Sequence, residues 1–312
     1  MRLRSFIVTV VALFVIANVI VAAIKRCGLD LAVEEVETTH PEAPMLSGPV
    51  GIEGLSLQLS RPLMCTVGQL GGVAASERWL YVASWDVASG AAQVLRLDAA
   101  SYDVALARTL EEEGAIGVGG IDVGAALVWV PLVVVDGTPQ TVVLGLDAET
   151  LDVAQRFRVP GDVGALAEGP DGRVYGVSHD GAHWTVWRPD GAVSREATGP
   201  GGVRYTDLAV ARGSLLAAGS DGVSGVIDVI EPTGLSLLAR YHVEVGAEAS
   251  DAATAAWVTS GGLAIRDEGI LLLPQGGARP SLLHYVVRNG GLEAFAPSVY
   301  DAISPARPTA AP

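Results

Sequence analysis

Ser178, His179 and Asp180 stand in a row, and they are the residue types of a nucleophile, a base and its orienter. Neighbours on a strand point to opposite faces, so three consecutive residues cannot converge on one reacting atom. The triplet reads instead as a turn leaving a strand, since Ser84-Trp85-Asp86 and Ser220-Asp221 stand in similar places. His179 and His183 are four apart, a spacing that suits a metal only on a helix. Asp180-Gly181 lies between them and makes the segment a hairpin loop. There is no Gly-x-Ser-x-Gly elbow, no phosphate-cradling glycine loop and no His-Glu-x-x-His. Glu168-Gly-Pro-Asp-Gly172 lacks the alternating carboxylates of a calcium loop and reads as a turn.

With contiguous motifs set aside, chemistry depends on residues that the architecture brings together. Five segments repeat one grammar. A Gly-rich entry with a short apolar run opens each, at Gly71-Gly-Val-Ala-Ala, Gly119-Gly-Ile-Asp-Val, Gly164-Ala-Leu-Ala, Thr206-Asp-Leu-Ala-Val and Gly261-Gly-Leu-Ala-Ile. A turn and a second apolar run follow, for example Trp79-Leu-Tyr-Val-Ala and Leu127-Val-Trp-Val-Pro. A third run ends in a recurrent turn, nearly the same phrase at Leu97-Asp-Ala-Ala-Ser-Tyr-Asp and Leu146-Asp-Ala-Glu-Thr-Leu-Asp. A fourth run then leaves, as in Val104–Leu110 and Val153–Val159.

Asp, Asn, Pro and Gly at these turns supply caps or left-handed dihedrals. Four strands per unit of roughly 40–55 residues make a propeller blade. No segment after Leu31 sustains a helical stripe, which excludes a helical solenoid. A β-sandwich, the remaining rival, does not predict a repeated phrase. The expected fold is therefore all-β, a small propeller of five four-stranded blades. A degenerate sixth blade, from Ala247–Ser260 and the C-terminal stretch, is the variant. Gly54–Leu63 alternates at period two without a partner of its own. It is expected to close the ring as the outermost strand of the last unit, Gly261–Val287.

The phrases Gly119-Gly-Ile-Asp-Val…Leu127-Val-Trp-Val-Pro and Thr150-Leu-Asp-Val-Ala-Gln-Arg-Phe-Arg-Val…Val163-Gly-Ala-Leu-Ala resemble an uncharacterised family of exported bacterial β-propeller proteins, a domain of unknown function. The resemblance spans residues 70–190 and implies the fold but no activity. Members often carry His before the first phrase and before Gly-Ala-Leu. This chain has Val118 and Asp162 there, so a site using those imidazoles is not carried over.

In a propeller, loops on one face meet around the central channel, where ligands bind. Asp122 and Asp207 begin inner strands, while Trp85, Asp86, His179 and Asp180 lie just past second strands. These six are the candidate ligand-binding residues of the channel mouth. No catalytic or metal-binding residue is assigned and no cofactor is predicted, although converging carboxylates there could hold a divalent cation such as calcium. The function expected is a binding or protein-interaction module for an unknown protein or small molecule, and an enzyme is the less favoured class. The alternatives are a metal-dependent, lactonase-like hydrolase using Asp122 and Asp207, and a structural envelope protein.

Location follows from the first residues. Ser5–Ile24 is an uncharged apolar run, long enough as a helix to span about 30 Å of hydrocarbon. Arg2 and Arg4 favour a cytoplasmic N-terminus and send the remainder outward. Val21-Ala22-Ala23 resembles a signal-peptidase site, whereas Lys25-Arg26 look like a membrane exit. The chain is thus expected to be membrane-anchored and facing the periplasm or cell surface, or secreted if the segment is cleaved. Residues 1–28 form this signal-anchor or signal peptide, 29–50 an acidic, Pro-bearing linker, 51–300 the propeller and 301–312 a flexible tail. Net charge is −15 and no basic stripe follows Arg26, which excludes nucleic acid as a partner. Cys27 and Cys65 are too few for a disulfide framework, but in an oxidising compartment they can bridge linker to domain.

Overall fold

The computed structural model describes residues 50–287, except 53, 200, 246–257, 268 and 276–279, together with 292. The chain divides into two units, Met1–Glu42 and Ala43–Pro312, and all described residues belong to the second. The segment Ser5–Ile24, Cys27 and most of Ala247–Ser260 lie outside the described residues. Among the described residues no helix is long and apolar enough to cross a membrane.

Five antiparallel sheets form the blades of a β-propeller. Blade I holds Gln69–Ala75 (β3), Trp79–Asp86 (β4), Ala91–Asp98 (β5) and Val104–Leu110 (β6). Blade II has an interrupted inner strand, Ala115–Val118 (β7) and Asp122–Val123 (β8), then Leu127–Asp136 (β9), Thr138–Asp147 (β10) and Val153–Pro160 (β11). Blade III holds Val163–Glu168 (β12), Val174–Ser178 (β13), His183–Trp187 (β14) and Val193–Thr198 (β15). Blade IV holds Arg204–Ala211 (β16), Ser214–Ser220 (β17), Gly225–Glu231 (β18) and Ser236–Val245 (β19). Blade V holds Leu263–Arg266 (β20), Gly269–Leu272 (β21) and Ser281–Val287 (β22).

The ring closes as the unpartnered period-two segment predicts. Leu55–Pro62 (β2) pairs antiparallel with β22, from Leu55 opposite Val287 to Pro62 opposite Ser281. One strand goes beyond the sequence reading: Val50–Ile52 (β1) adds a fifth strand to blade IV by pairing with Val243–Val245.

The second and third strands of the blades are largely buried and the outer strands are not, which is why the strands read differently in sequence. The second strand β4 is buried from Trp79 to Trp85, because both its faces pack against neighbouring blades. The outer strands β6 and β11 are mostly exposed and carry the alternating polar residues. The recurrent turn is one structure used twice. Asp98 Oδ1 accepts the N–H groups of Ala100 and Ser101, both at 2.9 Å, and Asp147 Oδ1 accepts those of Glu149 and Thr150 at 3.0 and 2.8 Å. Tyr102 and Leu151 follow with φ of 64° and 56°, a left-handed conformation that β-carbons resist. Both side chains are buried, so apolar burial offsets the backbone cost.

Candidate functional site

Around the axis, β3, β8, β12, β16 and β20 stand side by side in a closed circle. Gly72, Gly120, Ala165, Asp207 and Gly262 lie at one level of it. A Cβ on Gly72 would stand 2.8 Å from the Gly120 Cα, Gly120 bridges Ala165, and a Cβ on Gly262 would stand 2.6 Å from the Val73 nitrogen. Four blades present a residue without a side chain or with only a methyl group, and the backbones close in on each other. The fourth blade presents Asp207, which is fully buried.

Asp207 Oδ2 accepts the N–H of Val73 at 3.0 Å and of Leu263 at 2.7 Å, and Oδ1 accepts that of Leu208 at 3.0 Å. One carboxyl group therefore joins the inner strands of blades I, IV and V. Burial pushes its pKa well above the carboxylate range despite the three donors, and the charge of Asp122 adds to that effect. At this level the axis is filled.

Asp122 sits farther along the inner strand, opposite Trp129. Its Oδ2 accepts the Glu168 N–H at 3.1 Å, and burial, the largest cause, raises its pKa to about 8. The Glu168 carboxylate in turn accepts Trp129 Nε1–H at 2.6 Å. Asp122 and Asp207 are thus brought within electrostatic reach of each other, both enclosed by protein.

The other four candidate residues are distributed among blades. Antiparallel pairing places the ends of β4 and β13 beside the starts of their inner strands, at the opposite end of the blade from Asp122. Trp85 is buried in β4, and the exposed Asp86 caps its own turn through Ala88 N–H at 3.0 Å and Ser89 Oγ–H at 2.7 Å. Those hydrogen bonds, Ser89 first, hold its pKa below the usual value. His179 and Asp180 lie on blade III. Ser178 Oγ donates to Asp180 Oδ1 at 2.5 Å and accepts the His183 N–H at 2.9 Å, so the Ser-His-Asp row is a closed hairpin turn. Cys65 is half-buried beyond β2, with its thiol pKa raised by burial.

Of the candidate residues, His179 and Asp180 line a groove of about 810 Å³ over blade III, bordered by Val159 and Pro160 of blade II and by Arg204 of blade IV. That volume lies in the range of small-molecule sites. The apolar cluster joining blades II and III has seven buried residues, whereas the seam between blades III and IV has 14. Val159, Val163 and Trp187 supply the apolar floor, and Gly176 makes room for the indole, since a Cβ there would fall against the ring of Trp187. Trp187 continues through Phe157 to Trp129, with ring centroids 6.2 Å apart at each step.

The walls are polar. Cross-strand pairs His183–Thr198 and Thr185–Glu196 put four side chains on the face of blade III that lines the groove. Asp162, His179 and Arg204 complete the rim. Sequence reading singled out His179 and Asp180 but not Thr185, Trp187 or Glu196. The period-two pattern of Trp184–Trp187 and of Val193–Thr198 was their only signal. Among the described residues no group of three or more His, Cys, Asp and Glu side chains is placed to hold a metal ion.

No protein-family model and no curated protein matches the chain. Among solved structures it is similar to the major allergen Mala s 1 of Malassezia sympodialis, at 9% identity over 75% of this chain and 98% of that one, with a TM-score of 0.48. It is similar to a glucose dehydrogenase-type oxidoreductase of Thermus thermophilus, at 12% identity over 75% and 100%, with a TM-score of 0.45. It is also similar to a gluconolactonase of Xanthomonas campestris, at 15% identity over 78% and 98%, with a TM-score of 0.42. At such identities and scores the likeness assigns no activity.

Proposed function

We propose that this chain is a β-propeller binding module, held outside the cytoplasm by Ser5–Ile24, that captures its ligand in the groove over blade III. The observation that carries this reading is the contrast between the axis and the groove. The axis is filled by Asp207 and closely packed backbone, whereas the groove offers an apolar floor with polar walls. Binding there needs no movement of the inner strands. The proposed setting rests on the apolar run and the arginines that precede it.

The test is a fragment screen against the full-length chain in detergent micelles, mapped by hydrogen exchange. Protection clustered on 159–163, 176–185 and 193–198 supports the groove. Protection confined to the inner strands refutes it. A hydrolase centred on Asp122 and Asp207 is the second reading, favoured by the burial of two carboxyl groups on the inner strands. The backbone donors that occupy Asp207 weigh against it. A stoichiometric divalent ion in the purified protein would reverse that balance.

A further inference from the structure

We infer that the ligand of the groove is an extended peptide segment of a partner protein, which adds as a fifth strand to the outer edge of β15 and sets a basic side chain against Glu196. This rests on the groove being the binding site and names the class of molecule that fills it.

Blade IV already shows that an outer edge of this propeller accepts an added strand, because Val50–Ile52 pairs antiparallel with Val243–Val245 there. On blade III, β15 pairs with β14 on one side, and no described strand pairs with its other side. An unpaired edge presents a row of N–H and C=O groups, the template for strand addition. Six residues at about 3.3 Å each give an edge of roughly 20 Å, enough for a five- or six-residue segment.

The other face of β15 is tied to blade IV. Arg195 points away from the groove, and its guanidinium donates to the carbonyls of Pro232 and Thr233 in blade IV. The alternate residues Glu196 and Thr198 face the groove with Thr185 and His183. A strand added to β15 would therefore turn every second side chain inward. The outer edge of β11 is less suited, since its Arg156 and Arg158 are drawn down onto the buried Glu112 carboxylate at 2.7 and 3.0 Å.

Charge complementarity selects the inward side chain. Asp162 and Glu196 are exposed on the groove and have no ion-pair partner among the described residues. A Lys or Arg on the added strand lies one strand spacing from Glu196 and gains that carboxylate, while its aliphatic stem lies along the sheet face. Main-chain hydrogen bonds then supply affinity, and the groove supplies the preference for which side chain enters.

The probe is fluorescein-labelled acetyl-Thr-Val-Lys-Val-Thr-Val-amide, titrated into the full-length chain in micelles. Anisotropy reads affinity, and hydrogen exchange reads the amides of 193–198. The expected result is saturable binding with slowed exchange in that segment. Alternate N-methylation of the peptide, or Lys replaced by Glu, should each weaken binding at least tenfold. The variant Glu196→Lys should reverse the preference between the Lys and Glu peptides. Equal binding of the N-methylated peptide overturns strand addition. If fragments protect the groove but the peptide fails to bind at millimolar concentration, the peptide inference falls and the groove reading stands. If neither binds, both fall.

Discussion

Gly120 and Asp207 occupy equivalent places in their blades, and a Cβ added to Gly120 would fall against the Asp207 carboxylate and the Thr206 carbonyl oxygen. The one large side chain at the axis is thus accommodated by the absence of another. Gly120→Ala should destabilise the fold by about 1–3 kcal/mol, as overpacking does in a closed core. Chemical denaturation measures this, and a change within about 0.5 kcal/mol would show that the inner strands have slack.

Asp207→Leu should cost more than Asp207→Asn. Leucine leaves the N–H groups of Val73, Leu263 and Leu208 without their acceptor, at about 1–3 kcal/mol for each unsatisfied buried group. Asparagine keeps an acceptor oxygen in nearly the same volume. Equal midpoints for the two variants would remove the hydrogen-bonding role of the carboxyl group.

Asp122 makes stability depend on pH in a stated direction. Its pKa is 3.8 when unburied and about 8 in the fold, so the folded state binds the extra proton. The contribution is fully present below pH 4 and is lost as pH rises toward and through 8. Asp122→Asn should flatten unfolding free energy against pH over this window, by up to about 1.4 kcal/mol per pH unit. An unchanged slope would show that Asp122 does not carry the proton.

Blade IV carries a second buried carboxylate with a different role. Asp228, fully buried, accepts Tyr205 Oη–H at 2.5 Å and both Arg240 Nε–H and Nη2–H at 2.8 Å. Burial first, and then the charge of Asp228, push the Tyr205 phenol pKa upward. Asp228→Ala leaves a partly buried guanidinium unpaired, which should cost about 3–5 kcal/mol by chemical denaturation. A loss below about 1 kcal/mol would mean that Arg240 swings out to water.

Much of the fold could be read from repetition, and the reasons are local. Asp98 and Asp147 announce their turns because side-chain capping depends on residues two and three positions ahead. Leu55–Pro62 announces closure because a strand with no hairpin partner must pair at long range. Val50–Ile52 gives no such signal, being three residues beside a proline. Asp207 was visible as a candidate, and its oddity against Gly72, Gly120, Ala165 and Gly262 was in the sequence. Its role was not, because that depends on how closely five backbones approach. The groove was illegible for a related reason. Its floor is made by side chains of separate strands, Val159, Val163 and Trp187, that only the ring brings together.

Close packing around Asp207 fills the axis, and the proposed site is the groove instead. Residue-resolved hydrogen exchange of the Val73 and Leu263 amides, which both donate to Asp207, tests this most directly. Exchange only through global unfolding, at rates matching the slowest amides of β4, is the predicted result. Rapid exchange at Val73 and Leu263 under native conditions would mean that water enters the axis and that the axis is not closed.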